Sequence, residues 1–391
     1  MDFSFTDGQR FFRDRISRAL EELVAPHAAS MDKEDAFPKE VFRSLGKLGY
    51  YGIRYPEKVG GMAGDCTTFT IFAEELAKVS IGFAATVTMQ CLMGTDFIHR
   101  FGTEEQKERL LVPAIKGEKM GVIAFTEPDC GSDLGAIRTR AVRDGDGYIL
   151  KGRKLWITNA GHADFFTVAA TTDPAKRVGG IAFFLIEKGT PGFSLGQKIG
   201  KIAARGTDAG ELMLEDVRVP KENLLGEEGK GAYYLNAILS EIRIMIAALG
   251  LGLAESARAA GLKYAKERHA FGKQIGKFQL IQEKIAEMEV RIRTAWLLTY
   301  YAAWLKDRGG FPMKEAAMAK LHSTETACYV VDEVTRIHGA YGIAEEFPAQ
   351  RFFRDARFLL FGGGTSEILK TVIAKESFLS PGEGSHRGLP A

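Results

Sequence analysis

The sequence predicts a helical domain, then a smaller β domain, then a second helical domain. In the first and last parts of the chain, apolar residues recur at three- and four-residue steps, which is typical of helices. In the middle part, short apolar runs are separated by Gly, Asp, Lys and Pro, which is typical of strands. We therefore expect an α+β fold that is mostly α, with domain bounds 1–120, 121–230 and 231–391.

The composition limits the classes of function. A chain of 391 residues with 46% hydrophobic and 26% charged residues can build several packed cores. A net charge of +2 gives no sign of the basic surface that nucleic-acid binding needs. The four cysteines form no CxxC pair, so neither a metal site nor a disulfide framework is indicated, and free thiols are expected. We find no signal peptide and no apolar run of about twenty residues, which predicts a soluble, cytoplasmic protein.

The first domain is predicted from its helical periodicity. The spacing of Phe11, Phe12, Ile16, Leu20 and Leu23 predicts a first helix that Pro26 interrupts. Further helices are expected over 41–50, 67–78, 83–101 and 104–116. Asp96 is the one candidate for chemistry in this part of the chain.

The middle domain is predicted as a compact antiparallel β unit. Five short runs carry the strand pattern: 148–150, 155–157, 165–170, 181–186 and 211–219. The segment Asp144-Gly-Asp-Gly147, just before the first of these runs, is a strong hairpin-turn signal.

The last domain is predicted as a four-helix bundle. Its helices are expected over 232–266, 279–307, 313–338 and 366–378, with apolar residues on more than one face. The remaining tail, 380–391, is polar and expected to be loose.

Three consecutive glycines, Gly362 to Gly364, precede the last of these helices. Thr365, Ser366 and Glu367 follow and supply capping oxygens. A glycine loop that opens onto a helix N-terminus lets backbone N–H groups face an anion or a polar ligand edge. The same pattern also fits a plain helix–turn–helix joint.

The glycine loop occurs together with three other motifs. They are Phe-Thr-Glu-Pro-Asp-Cys-Gly-Ser-Asp at 125–133, Lys-Leu-Trp-Ile-Thr-Asn at 154–159, and Arg-His-Ala-Phe-Gly-Lys at 268–273 with Phe-Gln at 278–279. In this order and spacing the set resembles the acyl-CoA dehydrogenase family of flavoproteins, from about Phe3 to about Ser377. The resemblance implies an FAD cofactor, an acyl-CoA thioester substrate, a homotetramer that is a dimer of dimers, and an electron-transferring flavoprotein as electron acceptor.

The resemblance also implies which residues bind FAD. Arg268, Phe271 and Gln279 would reach the diphosphate and adenine across a subunit interface, which requires at least a dimer. Arg336 stands where the family usually has glutamine, and no Rossmann GxGxxG pattern is present. The complete implied set is Phe125, Thr126, Ser132, Trp156, Thr158, Arg268, Phe271, Gln279, Arg336, Gly339, Thr365 and Glu367.

The substrate site implied by the resemblance lacks its usual base. In the family, a glutamate that removes the substrate α-proton stands at the position of Gly363, and a second solution places it at the position of Ile242. Glu241 is adjacent, but one helical step turns it by about 100°. The implied substrate-binding set is Asp96, Ser132, Ser240, Arg243, Gly363 and Gly364, with Arg243 as the anchor of the CoA arm.

Asp96 has two interpretations. It can form an i,i+4 pair with Arg100 on a solvated helix face. Alternatively it is a relocated catalytic base, as in the cyclohex-1-ene-1-carboxyl-CoA dehydrogenases, which resemble this chain. There an aspartate removes a proton at ring C3 while hydride leaves C6, a 1,4-elimination that gives cyclohexa-1,5-diene-1-carboxyl-CoA. This hypothesis implies a role in the degradation of alicyclic or aromatic compounds.

Three alternatives stay open beside the relocated base. The chain could be an α,β-dehydrogenase that uses Glu241, or an enoyl-CoA reductase. It could also be a flavin- or CoA-binding scaffold without catalysis. Retention of both Trp156 and Arg243 argues against a scaffold, which needs neither a flavin face nor a CoA anchor.

Overall fold

The computed structural model describes residues 4–379, so the prediction for the tail lies outside the described residues. The helix α1 begins with a capping box, in which Thr6 accepts from the backbone of Gln9 and the Gln9 side chain accepts in return. Its buried face carries Ile16 and Leu20, as the spacing predicts. The helices of this first part are α1 (Asp7–Leu23), α2 (Ala28–Glu34), α3 (Lys39–Lys47), α4 (Cys66–Val79), α5 (Ile81–Cys91), α6 (Asp96–Phe101), α7 (Glu104–Gln106) and α8 (Val112–Ile115).

A break separates α5 from α6, where the sequence predicts one continuous helix. The cause is the packing of Gly94 against the backbone of Gly121. A Cβ on Gly94 would lie 2.1 Å from the Gly121 carbonyl oxygen, so only glycine fits there. The break makes Asp96 the first residue of α6.

The middle part forms one eight-stranded sheet. Its strands are β1 (Gly121–Ala124), β2 (Arg140–Asp144), β3 (Gly147–Thr158), β4 (Phe165–Thr171), β5 (Ile181–Glu187), β6 (Phe193–Lys198), β7 (Ala209–Val219) and β8 (Leu224–Leu225). The order is β6-β7-β3-β2-β4-β5-β8, and β1 pairs with β4. Asp144 pairs with Gly147, which confirms the predicted hairpin turn.

The prediction of a purely antiparallel sheet is wrong for two strand pairs. β1 and β4 are parallel from Gly121 opposite Phe165 to Ala124 opposite Val168, and β2 meets β4 in parallel at Arg140 and Thr171. The sheet is therefore mixed, because long connections separate these strands in the chain and leave either direction open to them. The remaining pairs are antiparallel.

The last part returns to long helices. The helix α9 (Gly231–Glu267) leads into the hairpin of β9 (His269–Ala270) and β10 (Lys273–Gln274). The remaining helices are α10 (Gln279–Asp307), α11 (Met313–His338), α12 (Pro348–Phe358) and α13 (Ser366–Phe378). The protein is 59% helical and 16% strand over its described residues, which confirms the predicted fold class.

Two segments of the described chain are long and apolar enough to cross a membrane by length and composition alone: Ile81–Phe101 and Gly231–Glu267. The expectation that no such run exists is therefore wrong. In both segments, 89% of the most apolar stretch of 18 residues is buried inside the protein. Because their apolar side chains pack against other elements of the fold, they behave as core helices here.

Candidate active site

The glycine loop connects α12 to α13 in a conformation that few residues adopt. Gly363 has φ +66° and Gly364 has φ +104°, both in the left-handed region. Thr365 then caps α13, since its hydroxyl accepts a hydrogen bond from the backbone N–H of Ile368 at 3.3 Å. The predicted helix start is confirmed, and the glycines serve the turn itself.

Lys320 of α11 holds this loop from the protein interior. Its Nζ donates to the carbonyl oxygens of Leu360 and Gly364, both at 2.9 Å. The lysine is fully buried. Burial lowers the pKa of its ammonium group to about 8.

Gly363 packs against the side of α9. A Cβ built on Gly363 would lie 2.8 Å from Ile246 Cδ1 and 3.5 Å from Ile242 Cγ2. The position before Arg243 is therefore apolar, and isoleucine fills part of the space beside the loop. Neither position that usually carries the family's glutamate holds an acid in this chain.

Arg243 lies next to Gly363 and is almost entirely buried. Its Nε donates to the Gly363 carbonyl oxygen over 3.4 Å, while its Nη1 is buried without a hydrogen-bond partner among residues 4–379. Burial lowers the pKa of its guanidinium group to about 10, with the more distant Glu376 acting in the opposite direction. A buried guanidinium with an unused donor is prepared to bind an anion.

Asp96 and Glu241 lie in a buried charged cluster with Arg54, Arg100 and Lys306. Arg100 Nε is 2.7 Å from Asp96 Oδ2, and Arg100 Nη2 donates to Glu241 at 2.8 Å. Arg54 also pairs with Glu241 and lies 3.8 Å from Asp96. Lys306 Nζ is 3.2 Å from Glu241. We call these five residues the charged cluster.

The charged cluster corrects one interpretation of Asp96. The i,i+4 pair with Arg100 exists, but Asp96 is 2% exposed and thus not on a solvated face. The break before α6 turns its first residue inward, and Arg54 and Glu241 supply the surrounding charges. The role of Asp96 as a base stays a prediction, and it would require the carboxylate to leave Arg100.

Glu241 contacts the charged cluster, while Ile242, Arg243 and Ile246 are the α9 residues beside Gly363, as the helical rotation predicts. Burial alone would raise the pKa of its carboxyl, but the three cations of the charged cluster lower it to about 2. A carboxylate held ionised in this way is a poor proton acceptor near neutral pH.

The β domain presents Trp156 beside a fixed loop. Trp156 is 55% exposed, with φ +61° at an irregularity in the pairing of β3 with β7. The backbone N–H of Leu155 donates to the Thr126 carbonyl at 2.9 Å, and Lys154 Nζ donates to the Phe125 carbonyl at 3.2 Å. An exposed indole on strained backbone next to an ordered loop is the kind of surface that binds an aromatic ring.

The fixed loop depends on a buried pair that sequence reasoning missed. Lys154 Nζ lies 2.7 Å from Glu127 Oε1. Glu127 also accepts from the backbone N–H groups of Arg138 and Thr139, at 2.7 and 3.0 Å. Burial lowers the pKa of Lys154 to about 8. The alternation along β3 offers one signal, since Lys154 occupies a core position.

The remaining predicted residues lie at the surface or nearby. Arg268, Phe271 and Gln279 are exposed where β9, β10 and α10 meet, and Phe271 is 95% exposed. Arg336 pairs with Asp332 at 2.8 Å. Thr158 is half-buried on β3, and Ser132 is exposed. Ser240 is buried, and its hydroxyl has no hydrogen-bond partner within the described residues. Gly339 ends α11 at φ +61°, and Glu367 is exposed in the first turn of α13.

The described contacts bring together Arg243, Gly363, Gly364 and Thr365, and Lys320 joins them although the sequence did not single it out. A signal was present, because the α11 neighbours of Lys320 at three- and four-residue steps are small or hydroxyl residues. Within residues 4–379, no contact joins Asp96 to this group.

Comparison with known proteins decides the family. Models of the acyl-CoA dehydrogenase N-terminal, middle and C-terminal domains match residues 6–118, 122–217 and 229–378. The chain belongs to the acyl-CoA dehydrogenase family. It is an oxidoreductase of a family that dehydrogenates or reduces acyl-CoA thioesters, and FAD is the cofactor.

Several relatives match over nearly their whole length. The chain is 45% identical over 377 residues to the benzylmalonyl-CoA dehydrogenase of Aromatoleum aromaticum, covering 96% of this chain and 99% of that protein. The butyryl-CoA dehydrogenase structure from Megasphaera elsdenii matches with TM-score 0.94 and 39% identity, covering 97% and 100% of the two chains. A chain from the structure described as the electron transferring flavoprotein of Acidaminococcus fermentans matches with TM-score 0.95 and 38% identity, covering 97% and 100%.

The residues present fit FAD. Trp156 offers an exposed aromatic face, and the neighbouring Thr126 loop offers hydroxyl and backbone groups. Arg268 is an exposed guanidinium suited to a diphosphate.

Proposed function

We propose that this protein oxidises an acyl-CoA thioester that carries a carboxylate on its α-carbon. The observation that carries the proposal is that Gly363, which cannot act as a base, lies beside the buried guanidinium of Arg243. In the described structure this guanidinium has an unused hydrogen-bond donor. The similarity to a benzylmalonyl-CoA dehydrogenase supports it, because a benzylmalonyl group bears such a carboxylate.

The chemistry explains why a base is dispensable. An ordinary saturated thioester must lose an α-proton, which needs a carboxylate base. When the α-carbon carries a carboxylate, the electron pair of the Cα–CO₂ bond forms the enolate as CO₂ leaves. Bound FAD supplies a hydride acceptor for the β-hydrogen, so the products are an α,β-unsaturated thioester, CO₂ and reduced flavin.

This chain's residues would then act in binding and exclusion of water. The Arg243 guanidinium would orient the carboxylate beside Gly363. Ile242 and Ile246 form an apolar wall there, which disfavours a charged carboxylate and favours its loss as neutral CO₂. The absence of a side chain at Gly363 leaves room for the added group.

A second candidate is the 1,4-elimination of cyclohex-1-ene-1-carboxyl-CoA, with Asp96 as base. It is favoured by the lack of a side chain at Gly363 and by the burial of Asp96. Within residues 4–379, Asp96 Oδ2 forms an ion pair with Arg100 but no regular hydrogen bond. It requires the carboxylate to exchange Arg100 for the substrate. For this reason the first candidate accounts better for the geometry.

We further propose a cytoplasmic homotetramer that passes electrons to an electron-transferring flavoprotein. The exposed Arg268, Phe271 and Gln279 support an FAD site completed by a neighbouring copy. The match to a chain from an electron transferring flavoprotein structure supports the electron acceptor.

Anaerobic bleaching of the bound flavin tests the proposed substrate class. The panel is benzylmalonyl-CoA, cyclohex-1-ene-1-carboxyl-CoA and butyryl-CoA. Bleaching by the first alone supports our proposal, bleaching by the second alone supports the 1,4-elimination, and bleaching by butyryl-CoA would contradict both.

A further inference from the structure

Lys320 is a buried cation whose only direct partners in the described structure are backbone carbonyls. It lies on the core side of α11, where its neighbours Ala316, Ala317, Ser323 and Thr324 are also fully buried. Its Nζ donates to the carbonyl oxygens of Leu360 and Gly364, the first and last residues of the loop 360–364 that contains the three glycines. Within residues 4–379 it forms no salt bridge.

Keeping a charged lysine there is costly for the folded protein. A buried ammonium without a carboxylate partner loses its hydration and recovers only part of it from two carbonyls. The Glu325 and Glu367 carboxylates act to raise the pKa of the Lys320 ammonium and the Arg243 guanidinium acts to lower it, but the cost of burial outweighs them. Glu325 is engaged elsewhere, since its Oε1 accepts from the Ser366 hydroxyl at 2.6 Å. An apolar side chain of the same length would avoid this cost but would release the loop.

Arg243 is the second cationic side chain that binds the backbone of this loop. Lys320 binds the carbonyls at 360 and 364, and Arg243 binds the carbonyl at 363. No other backbone segment of the described chain donates to these three oxygens. The conformation of Gly363, with φ +66°, is therefore set by two side-chain cations.

We infer that Lys320 is a positioning residue for the family's reaction: it fixes the loop 360–364 so that Gly363 and Arg243 meet in one geometry at the acyl site. The inference rests on the family reaction and not on the proposed substrate. A misplacement of about 1 Å at such a loop lowers catalysis by about 100-fold.

Hydrogen exchange of the FAD-loaded protein tests the inference without any substrate. The variants are Lys320→Met, Lys320→Arg and the control Lys314→Met, a half-buried lysine on the same helix. We expect the amides of Ile368 and Leu369, which donate to Thr365 where the loop joins α13, to exchange about tenfold faster in Lys320→Met, while α9 and the flavin content are unchanged. Lys320→Arg should restore part of the protection, and Lys314→Met should behave as the wild type.

The kinetic arm uses whichever thioester of the panel bleaches the wild type. Lys320→Met should lower kcat about 100-fold with a smaller change in KM. Unchanged exchange at Ile368 and Leu369, exchange that rises equally across the whole chain, or failure of both Lys320 variants to fold would each overturn the inference. A wild type that no thioester bleaches would overturn the proposed function, and the exchange arm would still decide the role of Lys320.

Discussion

The backbone oxygen of Gly363 accepts a hydrogen bond from Arg243 Nε at 3.4 Å, while Arg243 Nη1 is buried and has no partner in the described part of the chain. A cation thus stands beside the position where the family's base is missing. We expect this pairing to distinguish a thioester with an α-carboxylate from one without it, since only the former would supply the guanidinium with a partner.

The substitution Arg243→Met tests that distinction with a matched pair of thioesters. We expect the affinity for benzylmalonyl-CoA to fall about 30-fold or more, because a charged hydrogen bond contributes about 2 kcal/mol. The affinity for 3-phenylpropionyl-CoA, which lacks the carboxylate, should fall much less. Titration of the flavin absorbance measures both, and equal losses would show that Arg243 binds only the CoA arm.

We expect that a glutamate placed at 363 as a single change does not act as a base for butyryl-CoA. A side chain there has an unfavourable φ of +66° and meets Ile246 Cδ1 at 2.8 Å. We expect Gly363→Glu to lower the free energy of unfolding by about 1–2 kcal/mol in urea titrations. Adding Ile246→Ala should remove the clash and permit bleaching by butyryl-CoA. Gly362→Ala is the control, since its Cβ would have ordinary contacts.

Asp96→Asn separates the two candidate functions. If the carboxylate is a structural partner of Arg100, the variant still bleaches with benzylmalonyl-CoA at a rate within about tenfold of the wild type. If Asp96 is the base, bleaching by cyclohex-1-ene-1-carboxyl-CoA is abolished. Glu241→Gln is the control, because it disturbs the same charged cluster from the other acid.

The lowered pKa of Glu241 predicts that the stability of the folded protein depends on pH. Its folded pKa of about 2 lies below the ordinary value of 4.5, so the unfolded state binds more protons between these values. The contribution to stability is complete above pH 4.5 and is lost as pH falls towards 2. We expect Glu241→Gln to reduce the free energy of unfolding by about 3 kcal/mol at pH 7 and to flatten its acid dependence. Urea titrations from pH 3 to pH 7 check this, and an unchanged slope would contradict it.

We expect Arg268 to bind FAD in a site that is completed by a neighbouring copy of the chain. The side chain is exposed, as expected of a residue that serves a neighbouring copy. Arg268→Met should weaken FAD retention about tenfold or more, measured by flavin release on dilution. Lys266→Met, exposed two residues earlier, should retain FAD. Equal retention in both variants would remove Arg268 from the site.

Periodicity and capping residues predicted much of this fold. The helices α10, α11 and α13 begin and end at the predicted residues, because long apolar stripes and Thr365 mark them clearly. The break between α5 and α6 was not predictable, since it follows from the contact of Gly94 with a strand that is distant in sequence. The parallel pairing of β1 with β4 is likewise a long-range property.

The residues of the candidate site were likewise only partly predictable from the sequence. Motif order identified the glycine loop, Arg243 and Trp156, which local sequence marks. The charged cluster arises from four separate segments, so no local pattern shows that Arg54 and Lys306 hold Glu241. Lys154 and Lys320 were missed because a lysine is usually solvated, and only the completed core shows that both are buried.

The most direct measurement is the amount of CO₂ released per flavin reduced, in a single anaerobic turnover with benzylmalonyl-CoA. Our account predicts one CO₂ for each reduced flavin in the wild type and in Asp96→Asn, and neither product in Arg243→Met at the same substrate concentration. Flavin reduction without CO₂, or reduction that requires Asp96, would contradict it.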